Sequence, residues 1–294
     1  MRKQFVKTIE GLLPEKKELV VLLGDIGVHG FKNSMLDFPE RVLNIGILES
    51  ASIGMAAGLA KTGLIPVVHT IAPFLVERAY EQIKVDLGYQ KLGCNLVSVG
   101  SSYDYASLGC THHCPGDVGV LLFIPGVEIV IPGSPKEFDR LFQQSYENGK
   151  PTYYRLSEKS HTQNIEVSFG KANKVKGGSK AVVITYGPML QAVIEATLDL
   201  DVTVLYYTTI IPFDKEALNE NITSSGRVIL IEPFYTGSTL HLITGALDGL
   251  KVSIKTIGIP REFLRKYGKS EEHDEELELN SKTLSRKISE FIDG

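Results

Sequence analysis

The chain has 294 residues, of which 43% are hydrophobic and 22% are charged, a composition typical of a globular protein large enough for two domains. A formal net charge of -4 leaves no basic surface of the kind that nucleic acid requires, so we expect no nucleic-acid partner. The apolar run at residues 19–23 is too short for a signal peptide or a membrane span, and three cysteines are too few for a disulfide framework, which predicts a cytoplasmic protein without membrane contact.

The first half of the chain alternates apolar strands with helical patterns. After an amphipathic helix at residues 1–17, we predict strands at 19–23, 42–47, 65–70, 95–99 and 127–131, and helices at 50–61, 74–87, 116–122 and 135–147. Turns rich in Gly or Pro follow most of the strands. This alternation predicts a mainly parallel sheet with helices on both faces.

A polar segment at residues 158–180, rich in Lys, Asn, Gly and Ser, predicts a linker between domains. Beyond it we predict strands at 181–186, 202–207, 228–231 and 252–257, with helices at 188–198, 214–219, 236–247 and 281–292. The acidic stretch 271–278 is interpreted as a solvated surface. The sequence therefore predicts two doubly wound α/β domains, at residues 1–165 and 178–294, the second with about four strands.

The most informative stretch is NIGILESASIGMAAGLA, residues 44–60, in which a short apolar strand turns at Glu49 into a helix of small residues. Such a helix lets another backbone or a flat ring approach closely. Glu49 stands at the strand-to-helix junction, where open α/β sheets bind their ligands. The alternative is that Glu49 complements the positive end of the helix dipole, and residue type alone leaves both interpretations open.

A second stretch, CTHHC at residues 110–114, contains the residue types that bind zinc. All four candidate ligands fall within five residues, whereas structural zinc sites usually bring two ligand pairs from separated segments. We therefore predict no metal site in this chain.

The run FPERVLNIGILESASIGMAAGLAKTGLIPVVHTIAPFLVERAYEQIKV, residues 38–85, resembles the pyrimidine-binding domain of transketolases and their thiamine-diphosphate-dependent relatives. The resemblance continues through residues 109–138 and 151–158. Less tightly, the last hundred or so residues resemble the C-terminal domain of the same family. The likeness implies two α/β domains that bind thiamine diphosphate.

The resemblance implies roles for several residues on the cofactor side. Glu49 would hydrogen-bond a pyrimidine nitrogen and so activate the cofactor, Phe74 would stack on the pyrimidine ring, and Asp25 would lie near the thiazolium side. Ile47 is a further candidate for cofactor binding, because its apolar side chain would help to desolvate Glu49. Two alternatives stay open, because Phe74 also suits a core position at a helix start and Asp25 suits a helix N-cap.

Other matches concern the substrate side. His112 corresponds to the first histidine of the family's T-H-x motif, which predicts a catalytic imidazole that shuttles a proton near neutral pH, although a loop histidine packed for structure is the alternative. The resemblance also makes His29, His69, His113 and Arg155 candidates for substrate binding.

The departures from the family pattern lie mostly on the substrate side. Ser107 and Leu108 stand where relatives have an E-D pair, Gly100 replaces a substrate histidine, and Glu158 replaces the arginine that binds a sugar phosphate. A carboxylate cannot pair with a phosphate. The cofactor half of the site is therefore expected to be retained while the sugar-phosphate half is altered.

The chain has no G-D-G motif, through which the family binds the diphosphate and its Mg²⁺. We therefore expect that a partner, an N-terminal diphosphate-binding subunit, supplies them in a two-plus-two heterotetramer, with self-association through the C-terminal half as a further option. The predicted function is transfer of a two-carbon ketol or acyl unit by a split transketolase-like enzyme. Alternatives are the β subunit of a 2-oxo-acid decarboxylating enzyme, or a non-catalytic scaffold.

Overall fold

Two β-sheets organise the chain in the computed structural model, which describes residues 1–294. The strands of the first sheet are β1 (Leu19–Leu23), β2 (Val42–Asn44), β3 (Ile65–Ile71), β4 (Cys94–Val99), β5 (Glu128–Val130), β6 (Pro151–Arg155) and β10 (Thr209–Ile211). Their spatial order is β10-β5-β6-β4-β3-β1-β2. All neighbours are parallel except β10, which pairs antiparallel with β5.

The second sheet has five strands: β7 (Ala172–Lys176), β8 (Val182–Tyr186), β9 (Thr203–Tyr207), β11 (Arg227–Tyr235) and β12 (Ser253–Ile259). Their order is β12-β11-β8-β9-β7, and only β7 is antiparallel to its neighbour. The predicted fold class of two α/β units with mainly parallel sheets is confirmed.

The helices lie between the strands along the chain. The α-helices are α1 (Arg2–Leu12), α2 (Lys32–Asp37), α3 (Glu49–Lys61), α4 (Tyr80–Gln82), α5 (Asp117–Leu121), α6 (Pro135–Ser145), α7 (Leu190–Ala196), α8 (Lys215–Asn221), α9 (Leu240–Ala246), α10 (Ser270–Glu276) and α11 (Ser281–Asp293). Two π-helical segments, Phe74–Arg78 and Ile83–Tyr89, flank α4, and 3₁₀ turns occupy Ala106–Thr111 and Gly187–Met189. None of the helices combines the length and the apolar character needed to span a membrane.

Strand β1 shows why the core has two halves. It is buried along its whole length, as expected for a strand with neighbours on both edges and helices on both faces. Because successive side chains point to opposite faces, Leu19 and Leu23 join one apolar cluster and Leu22 joins the other. Both clusters continue into the second unit, so the two units share their hydrophobic core.

Two expectations for the second unit are corrected. Strand β7 lies inside the segment predicted to be a linker, and it brings the second sheet to five strands. Strand β10 belongs to the first sheet although it lies in the second half of the chain. The acidic stretch 271–278 is exposed at all five of its glutamates, as a solvated surface requires, and it is largely helix α10, whose His273 is buried against Tyr103 and His113. Local alternation of apolar and polar residues is weak in strands β7 and β10. Pairing with neighbouring strands therefore determines their structure.

Candidate active site

The candidate site lies at the carboxyl edge of the first sheet. Glu49 begins α3 shortly after β2, Phe74 follows β3, and His112 lies in the loop after β4. Because β1 to β4 are parallel neighbours, their carboxyl ends meet at one edge. The alternation of strands and helices in the sequence thus places three distant residues in one region.

Glu49 is buried even though it opens a helix. Its carboxyl group is about 1% exposed, and Arg78 Nη1 donates a hydrogen bond to its Oε2 at 2.8 Å. Its other oxygen, Oε1, is buried and has no hydrogen-bond partner. Burying an acceptor without a hydrogen bond costs free energy of desolvation. This oxygen can therefore accept a hydrogen bond from a donor outside the chain.

Phe74 and His112 lie beside the Glu49 ion pair. The guanidinium carbon of Arg78 lies 4.3 Å from the centroid of the Phe74 ring, and the His112 ring meets Phe74 at 5.3 Å and an angle of 70°. We call these side chains the Glu49 cluster: Glu49, Phe74, Arg78 and His112. The cluster contains a carboxylate, a cation, an aromatic ring and an imidazole, which suits the binding of a flat ring and the movement of a proton.

A π-helical turn at Phe74–Arg78 positions this cluster. It turns Phe74 towards His112, while the next residue, Leu75, is fully buried in the core. π-helical turns are rare and often occur at functional sites. No sequence pattern signals such a turn, and the periodicity of this segment predicts a regular helix instead.

The predicted cofactor residues Asp25 and Ile47 lie in neighbouring loops. Asp25 has a positive φ of 66°, and its amide donates to Asn44 Oδ1 at 3.0 Å while Asn44 Nδ2 donates to Asp25 Oδ1 at 3.3 Å. Asp25 does not cap a helix, because α2 begins only at Lys32. Ile47 is 65% exposed. Their role towards a cofactor stays a prediction.

His69 is completely buried, and it does not belong to the Glu49 cluster. Its Nδ1 donates to the Val97 carbonyl at 2.8 Å, its ring lies 4.6 Å from that of Phe5, and its Nε2 has no partner. Gly27 is needed beside it, because a Cβ there would lie 2.8 Å from His69 Cδ2 and Gly27 has a positive φ of 91°. Substrate binding by His69 stays a prediction.

The burial of His69 predicts a pH-dependent stability. Burial lowers its pKa from 6.5 to about 4, so between these values the unfolded chain binds a proton that the folded chain does not. Stability is therefore lost as the pH falls from 6.5 towards 4, by up to ~3 kcal/mol. Replacing His69 with asparagine, which keeps a donor for the Val97 carbonyl, should flatten this dependence in urea unfolding curves. An unchanged pH slope in His69→Asn would contradict the assignment.

The other predicted substrate residues are dispersed. His29 is exposed in the turn before α2, whereas His113 is buried, and its ring is perpendicular to that of His273 at 5.5 Å. Burial, followed by the nearby His273, lowers the pKa of His113. Arg155 is 1% exposed and pairs with Asp117 at 2.7 Å. None of the three belongs to the Glu49 cluster, so their role in substrate binding stays a prediction.

The two cysteines of the CTHHC stretch have different surroundings. Cys110 is exposed, while Cys114 is buried with its Sγ 3.6 Å from Glu77 Oε1. Burial raises the pKa of the Cys114 thiol and that of the Glu77 carboxyl. His112 instead meets Phe74, and the structure brings no group of three or more His, Cys, Asp or Glu side chains together in a way that could hold a metal ion.

The altered substrate positions have structural consequences. Gly100 has a positive φ of 76°, and a Cβ there would lie 2.6 Å from Cδ2 of Tyr105. A histidine at this position would therefore have to displace the Tyr105 ring. At another altered position, the Glu158 amide donates to Asp104 Oδ2 at 3.0 Å. Gly100 lies in the loop after β4 and Glu158 in the loop after β6, and the Glu158 bond to Asp104 joins the two loops.

Arg78 is the residue of the cluster that sequence reasoning missed. It lies in the run RAYEQ, which in the sequence contributes only to the family likeness, and its partner Glu49 is 29 positions away. An arginine on a helix is ordinarily interpreted as a solvated side chain. The signal that could have pointed to it is the buried carboxylate itself, since a buried charge requires a partner.

Comparison with known proteins agrees with this architecture. The family model "Transketolase, pyrimidine binding domain" matches residues 1–163, and "Transketolase, C-terminal domain" matches residues 170–282. The chain is 38% identical over 291 residues to an uncharacterised 33.6 kDa protein in the fasciation locus of Rhodococcoides fascians, covering 98% of this chain and 93% of that protein. It is 32% identical over 227 residues to one of the subunits of the apulose-4-phosphate transketolase of Actinobacillus succinogenes, covering 74% and 71%.

A solved structure shares the fold. That protein is a split-gene transketolase in an inactive β4 tetramer, and it superposes with a TM-score of 0.85 at 22% identity, covering 99% of this chain and 97% of that one. The resemblance found in the sequence is therefore confirmed, and the family's domains imply dependence on thiamine diphosphate. This chain belongs to the transketolase family.

Proposed function

We propose that this chain is the cofactor-activating subunit of a split transketolase-like enzyme that transfers a two-carbon ketol or acyl unit with thiamine diphosphate. The observation that carries the proposal is the buried Glu49 carboxylate, whose Oε1 lacks a partner beside an aromatic ring, in a chain of this family. The guanidinium of Arg78 already lies against Phe74 and Glu49, so a flat, nitrogen-bearing group fits there.

When bound, thiamine diphosphate supplies a carbon nucleophile that also stabilises the carbanion formed from the donor. Glu49 shares a proton at its free Oε1, Phe74 presents a ring face for stacking, and the His112 imidazole moves a proton to or from the substrate. Thr111 supports this role, because its Oγ1 lies 2.9 Å from His112 Nδ1 and so fixes the orientation of the ring. His112 Nε2 is then the nitrogen left to face a substrate.

The missing diphosphate site supports a partner subunit. The chain has no G-D-G motif, and apolar side chains beside Glu49 are exposed: Ile47 is 65% and Leu48 57% exposed. The outward face of α3 carries the small residues Ala51, Gly54 and Gly58 around the exposed Met55, a face that combines close approach with apolar contact. We infer that a diphosphate-binding subunit, which would also bring Mg²⁺, covers this surface in a two-plus-two assembly. The apulose-4-phosphate transketolase relative, itself one subunit of an enzyme, and the split-gene tetramer support this inference.

The altered substrate positions support a substrate other than an ordinary pentose phosphate. Glu158 stands where a phosphate-binding arginine is expected, and the Gly100 backbone lies against Tyr105. A carboxylate repels a phosphate group. The acceptor is therefore expected to place its polar groups elsewhere than pentose-phosphate substrates do.

The direct test is calorimetry with thiamine diphosphate and Mg²⁺, on the chain alone and on the chain assembled with a G-D-G-bearing partner. We expect heat of binding only in the assembled complex. No heat in either case would favour a scaffold protein, and release of carbon dioxide from pyruvate without a sugar acceptor would favour a 2-oxo-acid decarboxylating enzyme. Complete enclosure of the cofactor by this chain alone would contradict the split site.

Replacing Phe74 with alanine should weaken cofactor binding by about 10-fold, since loss of an aromatic stacking partner costs on the order of 1 kcal/mol beyond the buried area. The dissociation constant of thiamine diphosphate in the assembled complex measures this effect. Phe263→Ala, at an exposed ring outside the Glu49 cluster, is the matched control and should leave the constant unchanged. Equal binding by Phe74→Ala and the wild type would show that Phe74 is only a packing residue.

A further inference from the structure

The loop that carries His112 is held on one side by the second unit. We define the His112 loop as residues 100–116, between β4 and α5. We propose that Asp274 of α10 is a positioning residue, which holds the His112 loop in place and so keeps the His112 imidazole beside Phe74. This inference rests on the proposed function, because it concerns the group that is expected to move a proton.

His112 has few bonds of its own that could fix its position. Its ring contacts that of Phe74 at 5.3 Å. Its hydrogen bonds stay within the His112 loop, one between its Nδ1 and Thr111 Oγ1 and one from its amide to the Gly109 carbonyl. A side chain with only local bonds moves with its own backbone. The position of the imidazole therefore depends on the groups that hold the loop.

Two neighbouring residues of α10 contact the inner side of this loop. Tyr103 OH donates to Asp274 Oδ1 at 2.6 Å, and a hydrogen bond to a carboxylate is stronger than one between neutral groups. The His273 ring lies 5.2 Å from that of Tyr103 and 5.5 Å from that of His113. Tyr103 and His113 are both buried by these contacts and their surroundings. Since His113 directly follows His112, α10 restrains the backbone that carries the imidazole.

Strand β11 fixes the two ends of the His112 loop. Near the start of the loop, Ser102 Oγ donates to the Pro233 carbonyl, and near its end the Pro115 carbonyl accepts from the Tyr235 amide at 2.9 Å. A backbone bond of 2.7 Å from the Cys114 amide to the Ser102 carbonyl joins these ends to each other. Loss of the Asp274 contact should therefore loosen only the stretch between the ends, and the fold should persist.

Asp274 is itself held in a fixed place. Lys159, in the loop after β6, pairs with Asp274 Oδ2, and its Nζ lies 5.1 Å from the centroid of the Tyr103 ring. Asp274 thus connects α10 with two loops at the carboxyl edge of the first sheet. Tyr267 also contacts the His112 loop, because a Cβ on Gly109 would lie 2.6 Å from its Cε1, but its side chain is exposed and restrains the loop less.

The first experiment measures turnover of the full chain assembled with its diphosphate-binding partner. In Asp274→Ala, which lacks the acceptor for Tyr103, we expect kcat to fall by about 10-fold, since small displacements of a reacting group slow a reaction strongly. KM and the dissociation constant of thiamine diphosphate should stay unchanged, because the lost interaction acts in the transition state. Asp274→Asn keeps an oxygen that can accept from Tyr103, so it should restore most of kcat.

Asp139→Ala is the matched control. Asp139 Oδ1 accepts from Thr8 Oγ1 at 2.6 Å, a bond of the same length that joins α6 to α1 instead of α10 to the His112 loop. This variant should leave kcat unchanged.

Tyr103→Phe tests the same hydrogen bond from its other end and keeps the ring contact with His273. It should also lower kcat while KM stays unchanged. The double variant Tyr103→Phe with Asp274→Ala should be no slower than Asp274→Ala, because both substitutions remove one shared bond.

A second measurement needs neither cofactor nor partner. Amide hydrogen exchange of the full chain, followed by mass spectrometry, should quicken at residues 106–113 in Asp274→Ala and stay as in the wild type at residues 94–99 of β4. Asp274→Asn should exchange like the wild type at both places.

The outcomes separate this inference from the proposed function. Unchanged kcat or unchanged exchange in Asp274→Ala overturns the positioning role and leaves the proposed function intact. A loss of kcat that only parallels weaker cofactor binding or a lower free energy of unfolding also overturns it, because Asp274 would then serve packing alone. Absence of turnover in every assembled variant, including the wild type, refutes the proposed function and this inference with it.

Discussion

Replacing Glu49 with glutamine is expected to lower turnover of the assembled enzyme by at least ~10³-fold while the chain still folds. Glutamine has nearly the same shape, but it cannot share a proton with a ring nitrogen at the position of Oε1. The ion pair with Arg78 at 2.8 Å is also replaced by a weaker bond. Steady-state turnover of the reconstituted complex measures the effect, and circular dichroism with thermal melting reports the fold.

The matched control for this substitution is Glu15→Gln, at an exposed glutamate with no ion pair in the structure. It should leave turnover unchanged. Loss of activity in Glu49→Gln that only parallels a loss of soluble, folded protein would mean that the carboxylate serves stability alone. In that case Glu49 would be a dipole-complementing residue at a helix start, the alternative that its residue type leaves open.

Replacing Arg155 with methionine is expected to destabilise the protein by ~3–5 kcal/mol, because it leaves the Asp117 carboxylate buried without its cation. Arg155 Nε lies 2.7 Å from Asp117 Oδ2, and both side chains are at most 1% exposed. Arg155 Nη2 also donates to Ser102 Oγ at 2.8 Å, and its guanidinium lies 5.6 Å from the ring of Phe234 on β11. The pair thus links the first sheet to the second unit.

Urea unfolding followed by circular dichroism measures this loss. The double variant Arg155→Met with Asp117→Leu should recover much of the stability, since a buried apolar pair often replaces a buried ion pair at little cost. Arg286→Met, which breaks two exposed pairs with Glu278 and Glu290, is the control and should change stability by less than ~1 kcal/mol. If the double variant lost as much free energy of unfolding as the two single variants lose together, the two residues would act independently.

Sequence patterns predict those parts of the fold in which local periodicity and tertiary structure agree. Strand β1 is predicted with its observed bounds because five consecutive apolar residues suit a strand buried on both faces. The helix from Glu49 to Lys61 is predicted within one residue at its start, because a run of small residues follows a short apolar strand there. Strand β10 is missed, since a segment of three residues becomes a strand only through its partner β5.

The candidate site can be predicted only in part. Glu49, Phe74 and His112 are identified by resemblance, and the structure places them in one cluster. Arg78 is missed because its contact with Glu49 depends on the π-helical turn, which carries no sequence signal. Arg155 is in a buried ion pair with a residue 38 positions earlier, a long-range contact that spacing along the chain does not reveal.

Strand β10 also bears on aggregation. An uncovered strand at the margin of a sheet exposes unpaired amides and carbonyls that can join other molecules, and β5 is protected from this because β10 pairs with it. A fragment that stops at residue 165 would lack that protection. Such a shortened protein is expected to self-associate through β5 rather than remain dispersed, so studies of isolated domains need to retain residues 209–211.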